Sequence, residues 1–294
     1  MTDLLSEGEI AQFVESGYLG PFDLLSGPTA LRVGTRLAEE LLPVRSPVYA
    51  HTSSDVARLL FVRDRHLDSP LLARVLTDER VVGRMTRLLG PDVLLWRSDF
   101  FVQGVGDRES LPHQDKNFSG MRNIPALEAA GGGIALNVTA WIAFSEMDRR
   151  RGGLYLVPGS HREGVLPEVP AEPEKSIFGK GRVLARTFTD AERLELKLRP
   201  GQFVLFSNLL VHGSYPVTGG EGTRIAISGR FTSTEALINP RGTDTSGHGL
   251  ELSRYGAMLV AGSSAGFGGV LRAAPPGTAA CPIEELEAIR PLQF

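Results

Sequence analysis

Apolar positions in the first ninety residues recur at helical spacing. Ser6 followed three places later by Glu9 forms a capping box, Ile10, Phe13 and Val14 then share one helical face, and Gly17 ends the segment. Weaker helical runs cover residues 30–42 and 55–61. Ser69-Pro70 supplies a cap and a proline at the first helical position. Leu71, Leu72, Val75, Leu76 and then Val81, Val82, Met85 and Leu88 keep the period to Gly90, with a restart at Thr77-Asp78. Beyond Gly90 the period changes. Residues 94–103, 134–144, 154–157, 182–188, 194–198, 202–206 and 223–231 are rich in β-branched and aromatic side chains, several alternate apolar with polar, and they read as strands. Turn chemistry separates them at Arg151-Gly-Gly153, Pro158-Gly159, Arg199-Pro-Gly201 and Gly219-Gly-Glu-Gly222.

Many short strands without long helices between them predict a mainly β fold, an antiparallel sandwich or jelly roll with the N-terminal helices packed on it. No Pro/Ser/Gly-rich linker divides the chain, so one domain is expected over 1–294, with a helical part (1–90), a β core (91–235) and a C-terminal extension (236–294). Residues 116–133 and 160–181 are too long for hairpin turns and read as lids or binding loops. Residues 243–269 are Gly/Ser-rich and expected to be mobile, and a short helix over 282–289 closes the chain.

Composition narrows the function classes. Lys+Arg 31 against Asp+Glu 34 gives a net charge of −3, too little positive charge to hold a polyanion, so nucleic acid is not an expected partner. The first residues are acidic rather than basic and no apolar run approaches a bilayer span, so a cytoplasmic protein without membrane contact is expected. The single cysteine, Cys281, excludes an internal disulfide and a Cys-rich zinc site, and points to a reducing compartment. Six histidines remain as candidate metal or acid–base groups.

Two of them have chemical company. In His113-Gln-Asp115, residues two apart on a strand or at its end share a face, so imidazole and carboxylate can reach one cation. His212 follows much later, after a strand pair. Two histidines and one carboxylate leave three positions open on a metal, the arrangement suited to ferrous iron and dioxygen. A His-x-Asp tripeptide alone equally fits a capped loop with a solvated pair. Arg224, twelve residues after His212, changes the balance: a guanidinium inside a sheet needs an anion, and a dicarboxylate supplies one by bidentate pairing. A structural salt bridge is the competing role for Arg224, but its strand offers no carboxylate nearby in sequence.

At these residues the chain resembles the phytanoyl-CoA dioxygenase (PhyH) superfamily of Fe(II)/2-oxoglutarate-dependent oxygenases, over nearly its whole length. The motifs that carry the resemblance are His113-Gln-Asp115, Thr139-Ala-Trp-Ile-Ala-Phe144, Gly152-Gly-Leu-Tyr-Leu-Val-Pro-Gly-Ser-His161, Arg199-Pro-Gly-Gln202, His212 and Arg224. Gly20-Pro-Phe22, Arg65-His-Leu-Asp68, Leu89-Gly-Pro-Asp92 and Leu95-Trp-Arg-Ser98 look like the branch containing the aliphatic halogenases of natural-product pathways. Those halogenases replace the metal-binding carboxylate by Ala or Gly. Asp115 is retained here, which implies oxygenation rather than chlorination.

The resemblance implies a double-stranded β-helix (jelly roll, cupin-like) core. It implies Fe(II) on His113, Asp115 and His212, and 2-oxoglutarate and O2 as cosubstrates. It assigns the distal carboxylate of 2-oxoglutarate to Arg224, and a lining role in the cosubstrate pocket to Thr139 and Trp141. Gln103 and Arg230 are further candidates, Arg230 for the iron-side carboxylate or the substrate; core packing for Trp141 and structural roles for Gln103 and Arg230 are equally open. Lys116, Asn117, Phe118 and Arg122 follow the metal motif and are candidate substrate contacts, against the simpler reading of a solvated loop. His161 is expected to hydrogen-bond backbone in a turn, and His51, His66 and His248 have no carboxylate at ligand spacing. The implied activity is hydroxylation of a small polar metabolite of a specialised pathway, either a free or carrier-tethered amino acid or a nucleoside-like compound. Desaturation, cyclisation, epimerisation or halogenation, and a metal-binding jelly roll without turnover, are the alternatives.

Overall fold

The computed structural model describes residues 5–49, 62–115, 127–170, 182–220, 223–238, 255–281 and 283. Helix α1 (Glu7–Ser16) starts on the Ser6–Glu9 capping box and stops at Gly17, whose φ of 82° lets its N–H return to Phe13 O. Phe13 is buried, but Val14, expected on the same buried face, is 67% exposed. Helices α2 (Gly27–Leu41), α3 (Pro70–Leu76) and α4 (Glu79–Leu89) are capped by Ser26, Ser69 and Asp78. The restart expected at Thr77-Asp78 is thus a true break between α3 and α4. Residues 55–61, 248 and most of 282–289 lie outside the described residues.

The strands are β1 (Tyr18–Asp23), β2 (Val93–Gln103), β3 (Ser110–His113), β4 (Leu127–Ala129), β5 (Val138–Ala143), β6 (Leu154–Leu156), β7 (Glu168–Pro170) and β8 (Arg182–Leu184). They continue with β9 (Leu194–Glu195), β10 (Gln202–Ser207), β11 (His212–Ser214), β12 (Arg224–Ser233), β13 (Ala236–Ile238), β14 (Gly256–Ala261) and β15 (Val270–Leu271). They build a seven-stranded sheet in the order β1-β10-β5-β12-β2-β14-β15 and a four-stranded sheet β3-β11-β6-β9. This is the expected β core of two facing sheets, antiparallel except for the edge pair β14–β15. Several strands depart from expectation: β4 and β7 lie in the two segments read as lids or binding loops. β1 lies in the part read as helical and caps one edge of the large sheet by pairing with β10. β14 lies in the segment read as mobile and pairs with β2. β5 begins four residues late, because Ile134 instead pairs with Glu128 beyond the glycine turn.

Alternation along β12 sorts the core into two layers. Ile227 and Phe231 face the helices and pack with Val33, Leu37, Leu72 and Phe203. Fully burying each such side chain contributes about 1.5–3 kcal/mol. α2 approaches this face so closely that a Cβ on Gly34 would stand 2.5 Å from Phe144 Cβ. Ala226, from the other face, packs between the sheets with Trp141, Leu154, Leu156 and Phe206. The polar residues on that face of β12, Arg224, Ser228 and Arg230, therefore point between the sheets as well.

Candidate metal centre

The small sheet presents two histidines side by side. His113 ends β3 and His212 begins β11, the two are cross-strand partners, and their ring centroids are 4.3 Å apart. Each ring is fixed by its own turn: His113 Nδ1 donates to Leu111 O (2.7 Å) and His212 Nδ1 to Leu210 O (2.9 Å). A carbonyl only accepts, so Nδ1 carries the proton and in the neutral ring Nε2 keeps a lone pair. Burial lowers the His212 pKa, with Asp115 opposing it, and so favours that neutral form.

Asp115 lies just beyond β3. Its N–H donates to Asn208 O (2.9 Å), while the intervening Gln114 staples the turn, donating to Gly164 O and Leu209 O and accepting from Leu166 N. The Asp115 carboxylate crosses to the large sheet. Oδ1 accepts from Arg230 Nη2 (2.9 Å), and Oδ2 accepts from Arg230 Nε and Thr139 Oγ1 (3.1 Å each). Burial by itself would raise this carboxyl, but Arg230, and then His212, outweigh it and hold it below the usual carboxylate range. Among the described residues no three His, Cys, Asp or Glu side chains close into a ready-made metal cage. The donor chemistry nevertheless fits a divalent transition metal: two imidazoles bonded through Nδ1 to carbonyls, and one ionised carboxylate held from outside.

Arg224 begins β12 and is 5% exposed. Its Nη1 donates to Gly152 O (2.7 Å) and to Gln103 Oε1, and its guanidinium lies 5.4 Å from the Trp141 ring centroid. Gly152, the first glycine of the Gly-Gly motif, makes that approach possible; it has φ of 68°, and a Cβ there would stand 3.4 Å from Nη1. Nε is buried without a partner, and among the described residues no carboxylate pairs with this cation. Burial pushes its pKa down to about 10. A buried guanidinium without a counter-charge fits an anionic ligand such as one carboxylate of 2-oxoglutarate.

The structure gives several expected residues different neighbours. Thr139 bonds the Asp115 carboxylate, and Gln103 accepts from Arg224. Arg230, a candidate for the cosubstrate or the substrate with a structural role equally open, donates to the chain's own carboxylates: besides Asp115 it bonds through Nη1 to Asp99 Oδ2. His161 takes the backbone role expected of it, at Val14 O (3.0 Å), and His66 is fully buried against Ser98 Oγ (2.8 Å). Lys116, Asn117, Phe118, Arg122, His51 and His248 lie outside the described residues. Gln114, Asp99 and Arg63 were not singled out from sequence. The available signal was Asp99 itself, which with Arg97 is a charge in an otherwise largely apolar strand and demands a partner.

The phytanoyl-CoA dioxygenase (PhyH) family model matches residues 13–226. A probable phytanoyl-CoA dioxygenase of Caenorhabditis elegans is 30% identical over 106 residues, 35% of this chain and 34% of that one, so the chain spans about a third of the length of that relative. An ectoine dioxygenase of Sphingopyxis alaskensis is 26% identical over 259 residues, 81% of either chain. The solved structure of CytC3 with Fe(II) and alpha-ketoglutarate superposes with a TM-score of 0.69 at 26% identity, covering 89% of this chain and 90% of that one. Among the described residues no helix is long and apolar enough to cross a membrane.

Proposed function

The chain belongs to the phytanoyl-CoA dioxygenase (PhyH) family, and from that premise we propose that it is an Fe(II)- and 2-oxoglutarate-dependent dioxygenase hydroxylating an unactivated C–H bond of a small polar metabolite. The observation that carries the reading is that both parts of such a site lie between the two sheets: a histidine pair with an ionised carboxylate, and a buried guanidinium that no carboxylate of the described residues pairs. His113, Asp115 and His212 would hold the metal and Arg224 the distal carboxylate of 2-oxoglutarate. Bound together, metal and cosubstrate supply dioxygen activation, with one oxygen atom entering the substrate C–H bond and the other converting 2-oxoglutarate to succinate and CO2.

The chain's own residues do the positioning. The two Nδ1–H bonds hold the imidazoles in one tautomer and orientation, as second partners of metal-bound histidines generally do. Arg230 and Thr139 keep Asp115 ionised and fixed. Trp141 and the inter-sheet aliphatic residues keep water from the Arg224 guanidinium, which strengthens its attraction for a carboxylate. The similarity over 81% of an ectoine dioxygenase supports a small-molecule substrate in a specialised pathway. Free and carrier-tethered amino acids and nucleoside-like compounds are the classes to screen, with Lys116, Asn117, Phe118 and Arg122 as proposed contacts. Desaturation, cyclisation or epimerisation can follow the same hydrogen removal, whereas Asp115 occupies the position a halide would need.

Anaerobic addition of Fe(II) and 2-oxoglutarate should give a weak visible charge-transfer band, and substrate should then elicit succinate. Absence of the band, or its survival in the Asp115→Ala/His212→Ala double variant, overturns the reading. Metal uptake without succinate from any substrate class would favour a binding protein.

A further inference from the structure

The Asp115 carboxylate is the inner end of a buried ionic chain. Arg230 grips it with Nε and Nη2 and reaches through Nη1 to Asp99 Oδ2 on β2, and Asp99 Oδ1 in turn accepts from Arg63 Nε (2.8 Å). Asp99 and Arg230 side chains are only 9% and 13% exposed, so both ions have exchanged water for each other. Arg63 comes from the segment ahead of α3. That segment runs antiparallel to β2, with Asp64 N donating to Ser98 O (2.7 Å) and Phe100 N to Val62 O (3.1 Å), which sets Arg63 beside Asp99.

Counting lone pairs shows what this chain does to Asp115. A carboxylate oxygen offers two acceptor positions. Among the described residues, Oδ2 has both filled, by Arg230 Nε and Thr139 Oγ1, and Oδ1 has one filled, by Arg230 Nη2. Oδ1 is therefore the oxygen left with a lone pair to give, and the carboxylate is prepared to bind a metal through one atom. The guanidinium is planar and its fork is rigid, so the Asp99 contact on one side of it fixes the plane in which Asp115 is held on the other.

We propose that Asp99, anchored by Arg63, is a positioning residue for the metal site: it orients Arg230 and thereby holds Asp115 with a single oxygen for the cation. This rests on the assignment of Asp115 as a ligand in the proposed function. Asn at position 99 keeps the shape but has one carboxamide oxygen, which cannot serve both Arg63 and Arg230 as the two carboxylate oxygens do.

Co(II), stable in air, is the probe, followed by calorimetry and its visible d–d absorption in full-length protein. Asp99→Asn should weaken Co(II) binding by up to about 10-fold, the low end of the range for an outer partner of a metal ligand, because it acts on Asp115 through Arg230. The 2-oxoglutarate affinity at saturating Co(II) should stay within about threefold, because the Arg224 contacts are untouched. Arg63→Gln, at a side chain 28% exposed and so tolerant of change, should move Co(II) affinity in the same direction by a smaller factor. Wild-type protein that binds Co(II), with both variants binding it within twofold, overturns the positioning role alone. So do variants that lose Co(II) only in proportion to their unfolded fraction. Wild-type protein that takes up no Co(II) overturns the metal assignment beneath it.

Discussion

Arg224 and Arg230 sit on the same face of the same strand, six residues or about 20 Å apart, and their surroundings are opposite. Arg230 lies between two carboxylates, and although burial would lower its pKa, Asp115 and Asp99 more than reverse the effect and raise it. Among the described residues Arg224 meets only neutral acceptors, and burial pushes it down to about 10. A guanidinium whose charge is answered within the chain holds the chain together. One whose charge is unanswered remains ionised at neutral pH and binds whatever anion can reach it. His66 supplies the control: buried like Arg224 and, among the described residues, without an acid bonded to its ring, it can discharge, and burial, opposed by Asp99, takes its pKa to about 3. Arginine has no such escape, which is why an unpaired one implies a ligand.

The largest predicted effect is on stability. Arg230→Met leaves Asp99 and Asp115 buried without their shared cation and should cost about 3–5 kcal/mol in urea unfolding of the metal-free protein. Arg224→Met removes a cation that no carboxylate of the described residues pairs, so the same experiment should find it neutral or stabilising. Equal losses in the two variants would break the contrast. The ranking reverses for cosubstrate: Arg224→Met should lose about 2–4 kcal/mol of 2-oxoglutarate binding at saturating Co(II), read by calorimetry, with Co(II) affinity itself unchanged.

Much of this was legible in the sequence, for identifiable reasons. The α1 boundaries follow from Ser6, Glu9 and Gly17 because capping is local chemistry. β5, β10 and β12 follow from dense apolar and aromatic runs, and Arg224 as a cation in need of an anion follows from the absence of carboxylates along its strand. β1 was not legible, since Gly20-Pro21 breaks its pattern and only pairing with β10 makes it a strand. β14 was hidden in a Gly/Ser-rich stretch for the same reason: a partner strand supplied the order that composition withheld. For Arg230 the sequence pattern yields the correct face but not the neighbours. Alternation tells which way a side chain points, whereas Asp99 reaches it from β2 and Asp115 from the turn after β3, which no local pattern connects.

His66 gives the next prediction, smaller and confined to acid. Its folded pKa, about 3, lies below the unfolded value of about 6.5, so between those values the unfolded chain binds a proton that the folded chain refuses. Stability therefore falls as pH drops below about 6.5, by about 1.4 kcal/mol per unit from this group. Unfolding of wild type and His66→Gln at pH 6.5, 5.5 and 4.5 should show the variant losing that part of the slope. Equal slopes would mean that His66 is protonated in the folded chain, and the control for Arg224 would fail with it.

The sharpest version of the contrast turns one end of β12 into the other. Gln103 already accepts from Arg224 Nη1, so Gln103→Glu places a carboxylate where the guanidinium now meets a neutral amide. Arg224 then acquires an internal partner, as Arg230 has in Asp99. Metal-free stability should rise by about 1 kcal/mol, the upper end for a partly exposed pair. The affinity for 2-oxoglutarate should fall about tenfold, because the incoming carboxylate must compete for a cation already answered and is repelled by the introduced negative charge. Gln103→Leu separates the two causes. It removes the acceptor without adding a charge, so it should weaken 2-oxoglutarate less than Gln103→Glu and should not stabilise the metal-free chain. Were the Gln103→Glu variant to bind 2-oxoglutarate as wild type does, the anion would be held elsewhere than at Arg224.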